Sequence, residues 1–414
     1  MKRSFSQFTV GFLWLVVVAF GWQASAFAQA TVSTIRGMVF DQTGNPVPGV
    51  RVVAKSPTNI GGPKTTYTDS EGNFRFMNLN PGVFELSASA PKLATVVQKG
   101  IELSVNAPTE VNFVLEVAGQ EDQVKIVDRV TAVVATAANV KETFTSEFIE
   151  KATLPAPTYQ DMADQAVGWN KTGREQRVRG GNISDNNYTV DGFNIQDPVT
   201  RGGSQLVPHN AVSMVEVQAA AYGAENANAQ GGVLNVVAKT GSNDFHFSLS
   251  GTWQDGRYQF WKEKVDRDSA NTIGFFNADV SGPLMKDKLW FYVAAEVVPE
   301  RSTTGPQAAG IIRDYEPPER DVLAQRYLGK LTFQATPRNK ISLLGTYAPE
   351  RTNNAIQNHN WAREAERYEE QQFMFGGLSW HAALDNFLIV NQASVNQVIT
   401  RQEPQQCKTN PAQC

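Results

Sequence analysis

Phe245-His246-Phe247-Ser248-Leu249-Ser250-Gly251-Thr252-Trp253 alternates bulky apolar side chains with smaller polar ones. A period of two sends successive side chains to opposite faces of a strand, so one face here is apolar and the other polar. Tyr327, Gly329, Leu331 and Phe333 alternate in the same way with Lys330, Thr332 and Gln334, and further strands centre near residues 276, 293, 344, 376 and 391. Connection lengths separate the two folds that such alternation allows. Long charged stretches (255–270, 299–325, 349–371) alternate with short ones (283–288, 335–340, 382–386). A soluble sandwich has no reason to do this, whereas outer-membrane barrels have tight periplasmic turns and long external loops. Residues 243–414 are therefore expected to form the first strands, about seven, of a transmembrane antiparallel β-barrel.

Composition narrows the function classes. The 414 residues carry 37 Lys and Arg against 41 Asp and Glu, a formal net charge of -4, with 41% hydrophobic and 10% aromatic residues. No basic footprint for nucleic acid is visible. A chain this apolar can offset its ordering entropy and should fold. No Ser/His/Asp order, nucleophile elbow or paired-carboxylate motif supports an enzyme. Four scattered histidines (His209, His246, His359, His381) lack metal-ligand spacing, so neither metal nor cofactor is expected.

At the N-terminus, Lys2 and Arg3 precede an apolar run from Val10 to Phe20 and the small residues Ala24, Ala26 and Ala28. That layout reads as a secretory signal peptide over residues 1–28, cleaved before Gln29. Its apolar run rises only ~16 Å as a helix, too short to span a bilayer. Cys407 and Cys414, the two cysteines of the chain, would then sit in an oxidising compartment and are a disulfide candidate.

Residues 31–117 read as a β-sandwich, with short β-branched and aromatic runs such as 35–40, 50–54, 74–76, 84–88 and 111–115. The separators are turns built from Gly, Pro, Asn and Asp (41–46, 69–73, 80–82). The order Gly37-x-Val39, Gly44-x-Pro46-x-Pro48-Gly49-Val50, Thr68-Asp69-x-x-Gly72-x-Phe74 and Leu79-x-Pro81-Gly82 resembles the carboxypeptidase regulatory-like domain. That resemblance implies a prealbumin-like sandwich with no protease chemistry. Residues 118–142 follow as a linker whose alternating run around Val124-Lys125-Ile126-Val127 is either plain linker or a strand offered to a partner sheet.

Residues 143–242 read as a compact α+β unit. Thr158-x-x-Asp161 forms a capping box ahead of Tyr159, Met162, Ala163 and Ala166 at helical spacing. Beyond it, apolar β runs are bounded by glycines. The elements Arg179-Gly180, Asn187-x-x-Val190-Asp191-Gly192, Val215-Glu216-Val217, Tyr222-Gly223 and Gly231-Gly232-x-x-Asn235-x-x-x-Lys239 resemble, in order and spacing, the plug domain of TonB-dependent outer-membrane receptors. With the sandwich and Asp197-Pro198, the chain is most similar to the Oar-like group. It departs at Ala219-Ala220 and at Asn226-Ala227-Asn228, where the family commonly shows Gly-Pro and aromatic-Gly-Arg.

The resemblance implies a receptor in a Gram-negative outer membrane, with sandwich and plug on the periplasmic side. It would import a ligand using the inner-membrane proton-motive force. Its partners would be TonB with its energising complex, outer-membrane lipid and an unidentified extracellular ligand met by loops containing Trp261, Tyr315 and Trp361. Residues 124–127 are the candidate TonB-interacting segment. A plugged barrel of ~22 strands at about 25 residues each needs roughly 550 residues, so the chain is expected to be a fragment. The alternative is a surface adhesion or interaction protein that uses the barrel as an anchor.

Overall fold

The structure, a computed structural model, describes residues 32–56, 62–103, 108–117, 125–127, 140–151, 158–172, 175–179, 181–198, 201–203, 207–220, 226, 229–255, 271–302, 319–355, 367–384 and 388–404. Strands β1 (Ser33–Asp41), β2 (Arg51–Lys55), β3 (Lys64–Tyr67), β4 (Asn73–Leu79), β5 (Gly82–Ser89), β6 (Val96–Leu103), β7 (Thr109–Glu110), β8 (Phe113–Leu115) and β9 (Lys125–Val127) make two facing sheets. One runs β4-β1-β7, with β8 also on β1, and the other β3-β2-β5-β6-β9. Alternate residues point inward, so Ile35, Val39, Val52, Phe84, Leu86 and Phe113 share one core. The pairings of β1 with β7 and β8, and of β6 with β9, are parallel. The sandwich is therefore not purely antiparallel, because the chain returns beside β1 through a crossover rather than a hairpin.

Two turns share the sequence Asp-x-x-Gly-Asn. Asp41 accepts from the backbone of Thr43 and Asn45 at 2.8 and 2.9 Å, and Asp69 accepts from Glu71 and Asn73 at 2.9 and 2.8 Å. These bonds, led by the Thr43 hydroxyl at Asp41 and the Asn73 amide at Asp69, hold both carboxyls below their ordinary range. The glycines at the fourth position take φ +85 and +76, which an L side chain rarely adopts.

Strands β10 (Val140–Thr145), β11 (Trp169–Thr172), β12 (Glu175–Val178), β13 (Asn187–Val190), β14 (Phe193–Asn194), β15 (Val212–Ala220) and β16 (Val233–Ala238) follow, with short helices at Ser146–Lys151 and Tyr159–Ala163. The main sheet runs β10-β15-β16-β13-β14, and β11 pairs with β12. Every residue of β13 and β16 is buried, as expected of central strands covered on both faces. Thr158 and Asp161 close the capping box reciprocally.

The last sheet is an antiparallel meander in which β17 (His246–Asp255), β18 (Asn271–Met285), β19 (Leu289–Ser302), β20 (Arg320–Thr336), β21 (Asn339–Asn353), β22 (Arg367–Ala383) and β23 (Leu388–Pro404) pair in chain order. Connections 286–288, 337–338 and 384–387 are short, while 256–270, 303–319 and 354–366 are long. Most strands exceed the ~9–11 residues that a tilted strand needs to cross hydrocarbon. Among the described residues the sheet does not close on itself, since β17 and β23 each pair on one side only. Its polarity is inverted relative to a soluble sandwich. Phe247, Leu249, Val293, Leu331, Leu343 and Val395 are exposed on one face, whereas Glu296, Arg326, Lys330, Thr332 and Ser379 are buried on the other. Trp253 lies near the long-connection end and Trp380 near the short-turn end of the exposed face, the positions of interfacial aromatics in membrane barrels.

Gly37 on β1 has no room for a side chain, because a Cβ there would lie 1.8 Å from the Val111 carbonyl oxygen. Gly37→Ala should therefore destabilise the sandwich by about 1–3 kcal/mol through overpacking. Denaturant unfolding of the chain checks this, and an unshifted sandwich transition would contradict the packing.

Candidate functional site

The α+β unit meets the polar face of the seven-stranded sheet, and the centre of that contact is Asp191. Its φ is +48 and the following Gly192 has φ +77, a tight reversal between β13 and β14. The reversal directs the carboxylate at the wall. Lys330 Nζ of β20 sits 2.6 Å from Asp191 Oδ2, with both side chains under 10% exposed. The other oxygen accepts the Ala238 amide at 3.0 Å, and Lys330 also donates to the Ala238 carbonyl at 3.1 Å. Phe193, just past the turn, packs on Phe375 with centroids 5.5 Å apart and ring planes tilted by 60°, and lies against Gly377, where a Cβ would come within 2.9 Å of its ring.

Further bonds fasten the unit to the wall. Asn210 donates to Asp279 at 3.0 Å, Tyr292 donates to the Asn210 carbonyl at 3.0 Å, and the His209 amide donates to Glu296, which also pairs with Arg326. Gln392 and Asn396 of β23 donate to the carbonyls of Asp191 and Gln196 at 3.2 and 2.9 Å. The sandwich joins the same assembly, since Lys340 Nζ of β21 donates to Asn80 Oδ1 at 2.8 Å. Nearby, Lys64 donates to the Asn78 carbonyl at 3.3 Å, and burial pulls its ammonium down to about 8.

Within the unit, Glu216 pairs with Lys141 at 3.0 Å and Asn235 accepts the Thr189 hydroxyl at 2.9 Å. Asn235 also donates to Glu216 at 3.5 Å, so a polar ladder crosses β13, β16, β15 and β10. Gly231 and Gly232 permit close approach, as side chains there would meet Asn186 Oδ1 at 2.5 Å and Trp169 at 2.6 Å. Burial pushes the Tyr188 phenol up to about 12, keeping it neutral where it accepts from Asn186 at 3.2 Å. Asn187 accepts from Asn194 at 3.3 Å, Arg179 takes φ +50, and the Lys239 amide donates to Ala211 at 2.7 Å.

Of the residues singled out from sequence, the structure thus brings Asp191 and Gly192 to the wall, ties Lys239 to Ala211 of the unit, and places Glu216, Asn235, Gly231 and Gly232 inside the unit. Lys125, Ile126 and Val127 form β9 on the sandwich edge, opposite Val96, Val97 and Gln98 of β6. Val124, Gly180, Tyr222, Gly223, Cys407, Cys414, Trp261, Tyr315, Trp361 and the signal peptide lie outside the described residues. Sequence reading did not single out Lys141, Lys330 or Lys340, whose partners lie far away along the chain. Among the described residues no group of His, Cys, Asp and Glu could hold a metal ion.

A family model for the carboxypeptidase regulatory-like domain matches residues 34–116. The TonB-dependent transporter Oar of Myxococcus xanthus is 29% identical over 296 residues, covering 67% of this chain and 28% of that protein. A probable TonB-dependent siderophore receptor, PirA of Acinetobacter baumannii, is 29% identical over 202 residues, covering 44% of this chain and 24% of its own. The chain spans less than a third of the length of these curated relatives. The crystal structure of that PirA superposes with TM-score 0.50 at 19% identity, over 63% of this chain and 40% of the other. The outer membrane transporter YddB from Escherichia coli gives TM-score 0.51 at 13% identity, over 63% and 39%. These two structures share the fold. The curated relatives are transporters and receptors, not enzymes.

Asp191→Asn retains a residue that tolerates left-handed backbone but leaves the Lys330 ammonium buried without its counter-ion. Removing one partner of such a pair costs about 3–5 kcal/mol. The unfolding midpoint should fall accordingly, and the Asp191→Asn/Lys330→Met double variant should recover much of the loss. Equal midpoints for parent and single variant would show that the pair contributes nothing.

Proposed function

We propose that this chain, a homologue of TonB-dependent transporters with a carboxypeptidase regulatory-like domain, is part of an outer-membrane receptor that captures a ligand outside and imports it. The observation that carries this reading is the inverted sheet, apolar outward and polar inward, with an α+β unit seated against its polar face as a plug. Lipid is the environment that an exposed apolar stripe of that extent fits, and the short turns then face the periplasm together with sandwich and plug. The outer membrane has no energy source of its own. One charge crossing 100 mV at the inner membrane releases ~2.3 kcal/mol, so a physical link must carry that work outward.

TonB is the link that the homology implies, and residues 124–127 are our candidate for the segment it grips. Strand addition suits the task, because main-chain bonds transmit force without demanding particular side chains. For TonB to take this segment, β9 must first leave β6. A pull from there reaches β10 and then the plug, whose polar attachment to the wall, beside the apolar contact of Phe193 with Phe375, is made of single hydrogen bonds around the Asp191–Lys330 pair. Each net bond contributes only about 0.5–1.5 kcal/mol, so the plug can be loosened in steps.

Two measurements test the reading in the receptor that contains this chain. Leu331→Arg places a charge on the outward face and should cost about 2–4 kcal/mol of insertion free energy near mid-membrane. Heat-modifiable barrel recovered at parental yield would remove lipid contact from the account. Ile126→Pro deletes a backbone donor from the candidate strand and should abolish TonB capture while leaving the receptor in the membrane. Parental capture would eliminate residues 124–127 as the gripped segment.

A further inference from the structure

At the short-turn end of the seven-stranded sheet, a cavity of about 400 Å³ lies between the wall, the α+β unit and the sandwich turn at Asn80. Its wall side is regular. Thr332 of β20 stands opposite Ser342 of β21, and Ser342 stands opposite Ser379 of β22. Three hydroxyls thus form one row across adjacent strands and line the cavity. Thr332 and Ser379 are 2% and 3% exposed, yet none of the three makes a side-chain hydrogen bond among the described residues. Two residues along from Thr332 on the same face is Lys330, and two along from Ser342 is Lys340. The row is therefore flanked by ammonium groups.

Charge in this cavity is not balanced. Lys330 already has Asp191, but Lys340 is 5% exposed and its one hydrogen-bond partner among the described residues is the neutral amide of Asn80. Lys64 and Lys330 act on Lys340 electrostatically, and so does the carboxylate of Asp191, which Lys330 already holds. Asp244 also lines the cavity but is exposed, where water screens it. A buried ammonium is normally paired, because leaving it without a counter-charge is expensive. Hydroxyls that can donate, arranged beside that ammonium, are the complement of an oxyanion.

We propose that this cavity is a binding site for a small soluble oxyanion of the phosphate or carboxylate class, held by Lys340 and the Thr332, Ser342 and Ser379 hydroxyls. Lipid headgroups are excluded as the source, since the lining belongs to the inner face of the wall. The occupant would touch the wall, the α+β unit and the sandwich at once, and would stabilise their junction. The site is defined by its local geometry alone. It does not rest on the transport reading, and each can fail without the other.

The test is calorimetric titration of the folded receptor in detergent with inorganic phosphate, and separately with acetate, at constant ionic strength balanced by chloride. Saturable binding is expected for at least one of the two anions. Lys340→Gln keeps a donor for Asn80 while removing the charge, and should weaken that binding about tenfold or more. The Ser342→Ala/Ser379→Ala double variant should weaken it several-fold and decides the matter if Lys340→Gln does not fold. Lys286→Gln, on an exposed turn, should bind as the parent does. Absence of saturable binding for both anions overturns the proposal, as does parental affinity in Lys340→Gln or, where that variant fails to fold, in the serine double variant.

Discussion

A sheet that turns its bulky apolar side chains outward must find bonding partners for the polar ones it turns inward, and the rest of this structure answers that requirement. Lateral pairing satisfies the strand backbones from β17 to β23, but it does nothing for Glu296, Arg326, Lys330 or Asp279 on the inner face. Unpaired, each would be an expensive buried group. Some pair along the wall, as Arg326 does with Glu296, and others reach the α+β unit through Asp191, His209 and Asn210. The unit is thereby part of the sheet's electrostatic balance as well as a neighbour that covers it.

The same contact explains why the unit's own sequence is glycine-punctuated at particular places. Asp191 can aim at Lys330 because Gly192 completes the reversal, and Phe193 can enter the wall because Gly377 opposite has no Cβ. Apolar packing and ion pairing converge within three residues of chain. The hydrophobic core accordingly runs without a break from Val190 and Val236 of the unit to Tyr292, Leu328 and Phe375 of the wall.

How far sequence could reveal this depended on the reach of each signal. The long strands were legible because a period of two persists across each of them, and connection lengths told barrel from sandwich without any contact information. The helix at Tyr159–Ala163 was legible through Thr158 and Asp161, a signal contained in four residues. Strand β6 was missed because Gln98-Lys99-Gly100 interrupts its apolar pattern, and the helix at Ser146–Lys151 is too short to show a period. Lys330 and Lys340 were invisible as site residues for a different reason. Alternation in β20 marked Lys330 only as inward-facing, and nothing local could supply Asp191 or Asn80 as its neighbour's counterpart. The parallel docking of β9 on β6 likewise depends on a crossover that no short window contains.

The bond from Lys340 to Asn80 joins residues 260 positions apart, whereas the sandwich core is closed by contacts among its own neighbouring strands. Loop-closure entropy favours early completion of the sandwich. Asn80 then waits, already fixed on a finished module, until β21 is laid down. The separation along the chain makes this junction a docking between two modules, a contact that neither module needs for its own strands to pair.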